Sequence, residues 1–341
     1  VARLLKAVEC PIPISESRSI ALSASIGVSV CPLNGEEPDV LLRNADQAML
    51  IAKQSGRSRC SLFDTELEGR ARALYQTTAN VERGLAEGEF VLFYQPRVNM
   101  RLGTVVGVEA LIRWAHPEEG LILPVSFLPY VEGSEVAIRL GRWVLAEALS
   151  QMQRWSAIGL HLPISVNISG HHLKAPGFGE HLAKLLEAHP GIPAERLEIE
   201  ILETAAMEDV EKVARIIRDS ASLGVSFALD DFGTGHSSLT YVRRLPARTL
   251  KIDKSFVRNI LEDPEDLAIA KGVVALARSF GREVVAEGME TIEHGVALLS
   301  IGCEHAQGYG IAHPMPAEPV PAWIAQWKCP ACWGDAPRPA T

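Results

Sequence analysis

Several things are missing from this sequence, and each absence narrows what the chain can be. It has no basic block: 33 Lys and Arg stand against 42 Asp and Glu, for a net charge of −9. Binding a nucleic-acid backbone by counterion release needs clustered cations, so no polymeric nucleic acid is expected as a partner. No run of about 18 apolar residues occurs, so nothing here is expected to span a membrane, and no membrane contact is expected of this segment. No secretory signal pattern opens the chain, and a cytoplasmic location is expected. The chain starts on Val1, in what reads as mid-domain, and is expected to be a piece of a longer protein with an upstream sensor or anchor. Cysteine is sparse and scattered, at positions 10, 31, 60, 303, 329 and 332, as in a reduced protein. Cys329-Pro330-Ala331-Cys332 is one CxxC without a second pair nearby, and reads as an incidental tail before it reads as a zinc or redox site. The histidines share no spacing. His236 alone, following a Gly-rich loop, is a candidate ligand contact.

What is present is ample apolar material, 47% of 341 residues, enough for about two domains or one large barrel with an appendage. The most distinctive stretch is Phe227-Ala228-Leu229-Asp230-Asp231-Phe232-Gly233-Thr234-Gly235-His236. A short apolar strand there delivers two adjacent carboxylates into a Gly-Thr-Gly loop. Neighbours on a strand point to opposite faces, so both can reach one place only where the strand is ending. Two anions held together repel each other and resist desolvation unless a cation sits between them. A solvated Asp-Asp-x-Gly turn is the plain alternative, and the rest of the chain decides between them.

In chain order, residues 1–64 form a first unit. Residues 20–30 alternate like a strand and end at the turn signal Pro32-Leu33-Asn34-Gly35. Residues 40–55 carry Leu41, Leu42, Ala45, Ala48, Met49 and Ala52 at helical spacing, stopped by Gly56. Residues 65–88 read as a connector, helical over 74–87. From 89 to 327 strands alternate with helices. Strands are expected at 90–96, 104–112, 164–169, 197–203, 225–231, 249–253, 283–287 and 303–307. Helices are expected at 136–158, 179–189, 210–223, 265–280 and 291–300. Such alternation implies parallel pairing through right-handed crossovers, and about eight strands in roughly 240 residues match a closed (β/α)8 barrel. An open doubly wound sheet is the alternative, but no GxGxxG opens the first crossover. Residues 328–341 form a tail.

These strands share an oddity. Each is apolar through its body yet carries a polar residue towards its end: Glu109, Asn167, Glu200, Asp230 with Asp231, Lys251 with Asp253, Glu287 and Gln307. Singly, each has an ordinary structural explanation. Lys251 serves as an ion-pair partner, Asn167 satisfies a backbone group, Glu203 braces a loop, and Glu198 lies low in the barrel or on its surface. In a barrel, however, the C-terminal strand ends meet at one mouth. A mouth with this many carboxylates cannot ionise fully without cations, and oxygen ligands without His or Cys suit Mg²⁺ or Mn²⁺.

Two resemblances follow from longer motifs. Ala24-Ser25-Ile26-Gly27-Val28-Ser29, Leu41-Leu42-Arg43-Asn44-Ala45-Asp46-Gln47-Ala48-Met49 and Ala52-Lys53-Gln54-Ser55-Gly56-Arg57-Ser58-Arg59 resemble the C-terminal half of a GGDEF (diguanylate cyclase) domain. The catalytic hairpin of that family is absent, so this segment is not expected to work as a cyclase. Glu109-Ala110-Leu111-Ile112-Arg113-Trp114 resembles the signature of EAL domains, the phosphodiesterases of cyclic di-GMP. Tyr94-Gln95-Pro96, Ser165-Val166-Asn167-Ile168-Ser169, Glu200-Ile201-Leu202-Glu203-Thr204 and Asp230 to Gly235 continue the likeness. So do Lys251-Ile252-Asp253, Ala286-Glu287-Gly288-Met289-Glu290-Thr291 and Gln307-Gly308-Tyr309. Together they cover residues 70–325 or so.

The resemblance implies a modified (β/α)8 barrel with an antiparallel first strand. It implies two divalent ions, Mg²⁺ or Mn²⁺, one held by Glu109, Asn167, Glu200 and Asp230, the other by Asp230, Asp231 and water. It implies hydrolysis of cyclic di-GMP to linear pGpG, with Glu287 as general base and Lys251 orienting water or offsetting negative charge. Arg113, Gln95, Leu111, Gln307 and Asp253 are expected to bind substrate. Glu203 is expected to brace the loop after Asp231, a region that in this family contributes to homodimer contacts. Leu202 departs from the usual Thr and His236 from the frequent Tyr; the first puts that bracing in question. A receptor that binds the dinucleotide without cutting it, and a scaffold without ligand, are the competing readings. Such receptors typically lose metal carboxylates or the base, and this chain keeps all of them.

Overall fold

The computed structural model describes residues 2–9, 12–15, 18–20, 22–34, 36–54, 59–63, 65–235 and 239–334. The chain divides into two compact units, residues 1–79 and 80–341. In the first, Ile26–Val28 pairs in parallel with Cys60–Leu62, and helix Pro38–Gln54 packs on the pair. A separate hairpin joins Ile12–Ser15 to Arg18–Ile20. The expected strand over 20–30 is therefore two pieces, Arg18–Ile20 and Ile26–Val28, with residues 22–25 outside either strand. Leu22 there is exposed, and the small Ser and Ala residues that sustain the alternation bury too little to hold an extended run. Gly27 is required where it stands: a Cβ there would lie 1.9 Å from the Ala45 carbonyl oxygen, so strand and helix could not approach. The turn glycine Gly35 and the helix-stop Gly56 fall outside the described residues. The connecting helix runs Thr65–Glu87, starting earlier than apolar periodicity indicates because its first turns are polar.

The second unit is a closed eight-stranded barrel. Its strands are β1 (Phe90–Asn99), β2 (Thr104–His116), β3 (Ile164–Asn167), β4 (Leu197–Leu202), β5 (Ser226–Phe232), β6 (Thr249–Ile252), β7 (Glu283–Ala286) and β8 (His305–Ala306). From β2 to β8 each neighbour is parallel, while β1 closes the ring antiparallel to both β2 and β8. This is the modified barrel with a reversed first strand. A short strand, Gly120–Ile122, folds back on the end of β2. Around the sheet lie helices Glu135–Ala157, Phe178–Ala188, Val210–Ala221, Pro264–Ser279 and Ile292–Ile301. Ser134, Asp209, Asp263 and Thr291 cap four of them by accepting backbone N–H groups, each cap worth about 1 kcal/mol.

The barrel interior is layered. Residues two apart on β4 share its inner face, which stacks Glu198 below Glu200. Glu198 lies in the lower barrel, as one reading of the sequence had it. It accepts from Arg97 Nη1 at 2.8 Å and from Thr249 Oγ1 at 2.6 Å, and both charged partners are nearly buried. Burial pushes the Glu198 carboxyl up, but Arg97 and Thr249 outweigh it and hold the group ionised. This layer supports the floor of the mouth above it. Arg97→Ala is expected to strand the buried Glu198 charge and cost about 3–5 kcal/mol. Chemical denaturation of the full chain checks this, and Arg97→Met with Glu198→Leu is expected to recover most of the loss.

Candidate active site

At the C-terminal ends of the barrel strands, four carboxylates gather on one ammonium. Lys251 Nζ on β6 lies 2.5 Å from Glu200 Oε2 and 2.5 Å from Glu287 Oε1. Asp230 Oδ1 is at 3.2 Å and Glu109 Oε2 at 3.7 Å. Glu109 is on β2, Glu200 on β4 and Asp230 on β5, while Glu287 directly follows β7. Their meeting point exists only because the sheet closes. Lys251 and Glu200 are both completely buried.

The Asp230–Asp231 pair reaches one place by a route the sequence did not specify. The pairing of β5 with β6 shifts register between Leu229 and Phe232. Asp231 takes φ = 53°, the left-handed region that costs most residues about 1 kcal/mol or more. The strand continues to Phe232, so this local irregularity, and not the strand's end, turns both side chains to the mouth. Asp231 N–H also donates to Asp230 Oδ1 at 3.0 Å.

Amides complete the ring. Asn167 Nδ2 donates to Glu109 Oε1 at 2.6 Å, and Gln307 Nε2 to Glu109 Oε2 at 2.5 Å. Gln307 Nε2 also reaches Gln95 Oε1 at 2.9 Å, and Gln95 Nε2 donates to the Ala312 carbonyl at 2.9 Å. Behind the loop, Glu203 is buried and accepts from Gly233 N–H at 3.0 Å. The contact that loop bracing needs is thus made despite Leu202, whose side chain is turned outward. His236 falls outside the described residues.

The mouth opens into a cavity of about 310 Å³. Gln95, Glu109, Leu111, Arg113, Asp230, Asp231, Glu287 and Gln307 line it, whereas Asn167, Glu200, Lys251 and Asp253 do not. Arg113 is buried, with its guanidinium carbon 5.6 Å from the Phe93 ring centroid and Nη1 donating to the Ile112 carbonyl at 2.8 Å. Asp253 caps helix Lys254–Arg258, accepting from the Ser255 backbone at 2.9 Å and from the Ser255 hydroxyl. Lys254, Arg258, Glu290 and Tyr309 also line the cavity and were not singled out from sequence. Arg258 Nε pairs with Glu290 Oε1 at 2.8 Å. Their position just after polar strand ends (Lys251-Ile252-Asp253, Glu287 and Gln307) is the signal that would have found them.

In the electrostatics of the mouth, burial and like charge outweigh the one ammonium for several carboxyls. Burial pushes Glu287 up to about 8, with Asp230 and Glu109 adding to the rise against the pull of Lys251. Burial and the neighbouring Asp230 push Asp231 up to about 6. Burial also raises Glu200, beyond what Lys251 offsets. Glu109 is held below the usual range, because Lys251 and the amides of Gln307 and Asn167 outweigh its burial. Lys251 is raised by the carboxylates, again against burial. Glu200 Oε1 is buried and has no hydrogen-bond partner among the described residues. Two overlapping trios, Glu109–Glu200–Asp230 and Asp230–Asp231–Glu287, bring one oxygen from each member within 4.8 Å of the others. An all-oxygen set with an orphaned buried carboxylate oxygen fits a hard divalent cation.

A pH dependence follows. A carboxyl whose folded pKa is raised keeps its proton longer when folded, so the stability it lends below the ordinary carboxylate range is lost as pH rises through the raised value. Without divalent ions, thermal stability is expected to fall as pH rises from the carboxylate range towards 8, the titration point of Glu287. Mg²⁺ or Mn²⁺ is expected to raise the melting temperature more above that point than near 6, where Asp231 still titrates. Thermal melts across pH, with and without ion, check this; equal shifts at all pH values would contradict it.

A family model described as EAL domain matches residues 78–314, and one described as diguanylate cyclase, GGDEF domain, matches residues 1–59. The chain is 38% identical over 324 residues to the bifunctional diguanylate cyclase/cyclic di-GMP phosphodiesterase MucR of Pseudomonas aeruginosa, covering 95% of this chain and 47% of MucR. It is 33% identical over 305 residues to the cyclic di-GMP phosphodiesterase PdeR of Escherichia coli, covering 89% of this chain and 46% of PdeR. The chain thus spans about half the length of these curated relatives. A solved structure, the PaMucR phosphodiesterase in complex with c-di-GMP, matches with a TM-score of 0.69 at 39% identity. That match covers 72% of this chain and 99% of the solved one. With the family model spanning more than half of its residues, this chain belongs to the EAL-domain family.

Proposed function

We propose that this chain is a metal-dependent phosphodiesterase that hydrolyses cyclic di-GMP to linear pGpG. The observation that carries the proposal is the convergence of Glu109, Glu200, Asp230 and Glu287 on Lys251 in two trios that share Asp230. Family membership and the relatives named as cyclic di-GMP phosphodiesterases support the substrate. A shared carboxylate suits a pair of Mg²⁺ or Mn²⁺ ions: Glu109, Asn167, Glu200 and Asp230 would hold one, and Asp230 and Asp231 the other. Rotation of the Asn167 amide turns its oxygen to that role. Such ions, when bound, lower the pKa of water and offset the charge that builds on the phosphoryl oxygens.

The chain's own residues do the rest. Glu287 is half-buried beside Asp230, facing the cavity, and accepts the proton of the attacking water, a task suited to a carboxyl tuned upward. Lys251, fixed by its carboxylates, orients that water and stabilises negative charge. Arg113, seated over Phe93, presents the free donors of its fork to a phosphate oxygen. Gln95, Leu111 and Gln307 line the place of the dinucleotide, and Asp253 acts on it through the helix it caps. Glu203 holds the loop after Asp231 through Gly233. Association into a homodimer through the barrel belongs to the same reading; light scattering with and without nucleotide tests it. The domain division belongs to it as well: a partial GGDEF-like segment over 1–64, a connecting helix over 65–88, the catalytic barrel over 89–327 and a tail beyond.

The direct test incubates the purified chain with cyclic di-GMP and Mg²⁺ or Mn²⁺ and separates the nucleotides by chromatography. Linear product supports the enzyme; retained, uncut ligand would make the chain a receptor, and neither would leave a scaffold. Glu109→Ala and Glu287→Ala are expected to keep the fold, by circular dichroism, and to lower kcat by about 10³-fold or more. Unchanged turnover in either would refute its role. Ca²⁺ is expected to inhibit, because its looser and larger shell places the attacking water poorly.

A further inference from the structure

The CxxC lies in the C-terminal tail, and the described part of that tail, up to residue 334, is anchored on the barrel. Trp333, one residue beyond Cys332, is 1% exposed, and its indole N–H donates to the Ile292 carbonyl at 3.0 Å. Gly295 makes room for it: a Cβ there would sit 2.4 Å from the indole nitrogen. On the other side, the Cys329 thiol donates to the Met100 carbonyl at 3.4 Å. Cys329 also packs on Gly103, where an added Cβ would lie 2.8 Å from its own. Between these anchors the Trp333 backbone N–H donates to the Pro330 carbonyl at 3.1 Å, closing a turn that holds Cys332 and starts directly after Cys329.

The two thiols differ in access. Cys332 is exposed, whereas Cys329 is half-buried, and both are free. Burial pushes the Cys329 thiol up, and Cys332 is close enough to add to that rise. Neither belongs to a group of three or more metal-capable side chains among the described residues, which leaves a zinc site incomplete within one chain. An accessible thiol, Cys332, with a shielded one, Cys329, three residues before it suits sequential thiol–disulfide exchange, the exposed sulfur meeting the disulfide and the shielded one displacing it.

We propose that Cys329 and Cys332 form a redox-active dithiol that a low-molecular-weight disulfide oxidises, with Cys332 attacking and Cys329 resolving. The Cys332 thiolate attacks one sulfur of the disulfide RSSR, giving a mixed disulfide and releasing RS⁻. The Cys329 thiolate then attacks the Cys332 sulfur and releases the second RS⁻. The dithiol gives up two electrons, the disulfide RSSR accepts them and is reduced to two thiols, and the two cysteine protons end on those thiols. The site lies by the β1–β2 turn, where Met100 and Gly103 sit, at the opposite end of β2 from Arg113, so it is separate from the proposed catalytic mouth.

Oxidised glutathione on the folded full chain, followed by thiol blocking and peptide mass analysis, tests this. The exposed Cys31 and Cys60 serve as lone-thiol controls, and the buried Cys303, pushed up to about 12, as an inert one. The peptide holding 329–332 is expected to lose two hydrogens and carry no glutathione, while Cys31 and Cys60 carry it. Cys329→Ser is expected to trap glutathione on Cys332 at ~10-fold or more above the unmodified chain, and Cys332→Ser to leave Cys329 ~10-fold slower than Cys31. Glutathione persisting on Cys332 of the unmodified chain as it does in Cys329→Ser, or a 329–332 peptide that stays reduced while Cys31 and Cys60 react, would overturn the assignment. So would Cys329 reacting as fast as Cys31 in Cys332→Ser.

Discussion

A single buried ammonium, Lys251, sits within 3.7 Å of four carboxylates drawn from β2, β4, β5 and the end of β7. Charges of one sign cannot be gathered in a protein interior unless something opposes them, because the cost of desolvating each grows with the number present. Here one cation is too few. The site answers partly by protonation, with Glu287, Asp231 and Glu200 all raised, and partly by amide donors on Glu109. A site with a surplus of anionic oxygens is poised to take divalent cations, and that is the property on which the proposed chemistry rests.

The fold makes this surplus bearable. Closing the sheet brings strand ends far apart in sequence to one rim, while the alternation along β4 keeps Glu198 and Glu200 facing inward at two levels. The lower level is neutral in itself, since Arg97 matches Glu198, so the floor adds no further repulsion to the mouth. Reversal of β1 places Gln95 opposite Glu109 in register, which lets Gln95 and Gln307 form an amide bridge beside the carboxylate. The strained backbone at Asp231 is the other concession, and it too serves to aim an oxygen at the shared space.

Much of this could be read from the sequence, and for a physical reason. A polar residue at the end of an apolar strand is costly unless it meets a partner, so Glu109, Asn167, Glu200, Lys251 and Glu287 announce a common destination once the alternation of strands and helices implies a barrel. The reversed first strand came from the family likeness and not from periodicity, which carries no direction. The bulge in β5 was hidden because it is a property of pairing between β5 and β6, not of either strand alone. Lys254, Arg258 and Glu290 were hidden because surface charges look alike until a cavity forms between them. In the first unit, alternation over 20–30 overstated the strand, since small polar residues mimic the period without supplying burial. The C-terminal CxxC looked incidental because nothing local says that Trp333 finds a slot at Gly295, nearly forty residues upstream.

The central claim, that the mouth is a two-cation site bridged by Asp230, is tested most directly by anomalous diffraction from crystals grown with Mn²⁺. The account predicts two peaks, one among Glu109, Asn167, Glu200 and Asp230 and one between Asp230 and Asp231. Crystals saturated with Mn²⁺ that show no peak at the mouth, or peaks bound elsewhere while Lys251 keeps all four carboxylates, would contradict it.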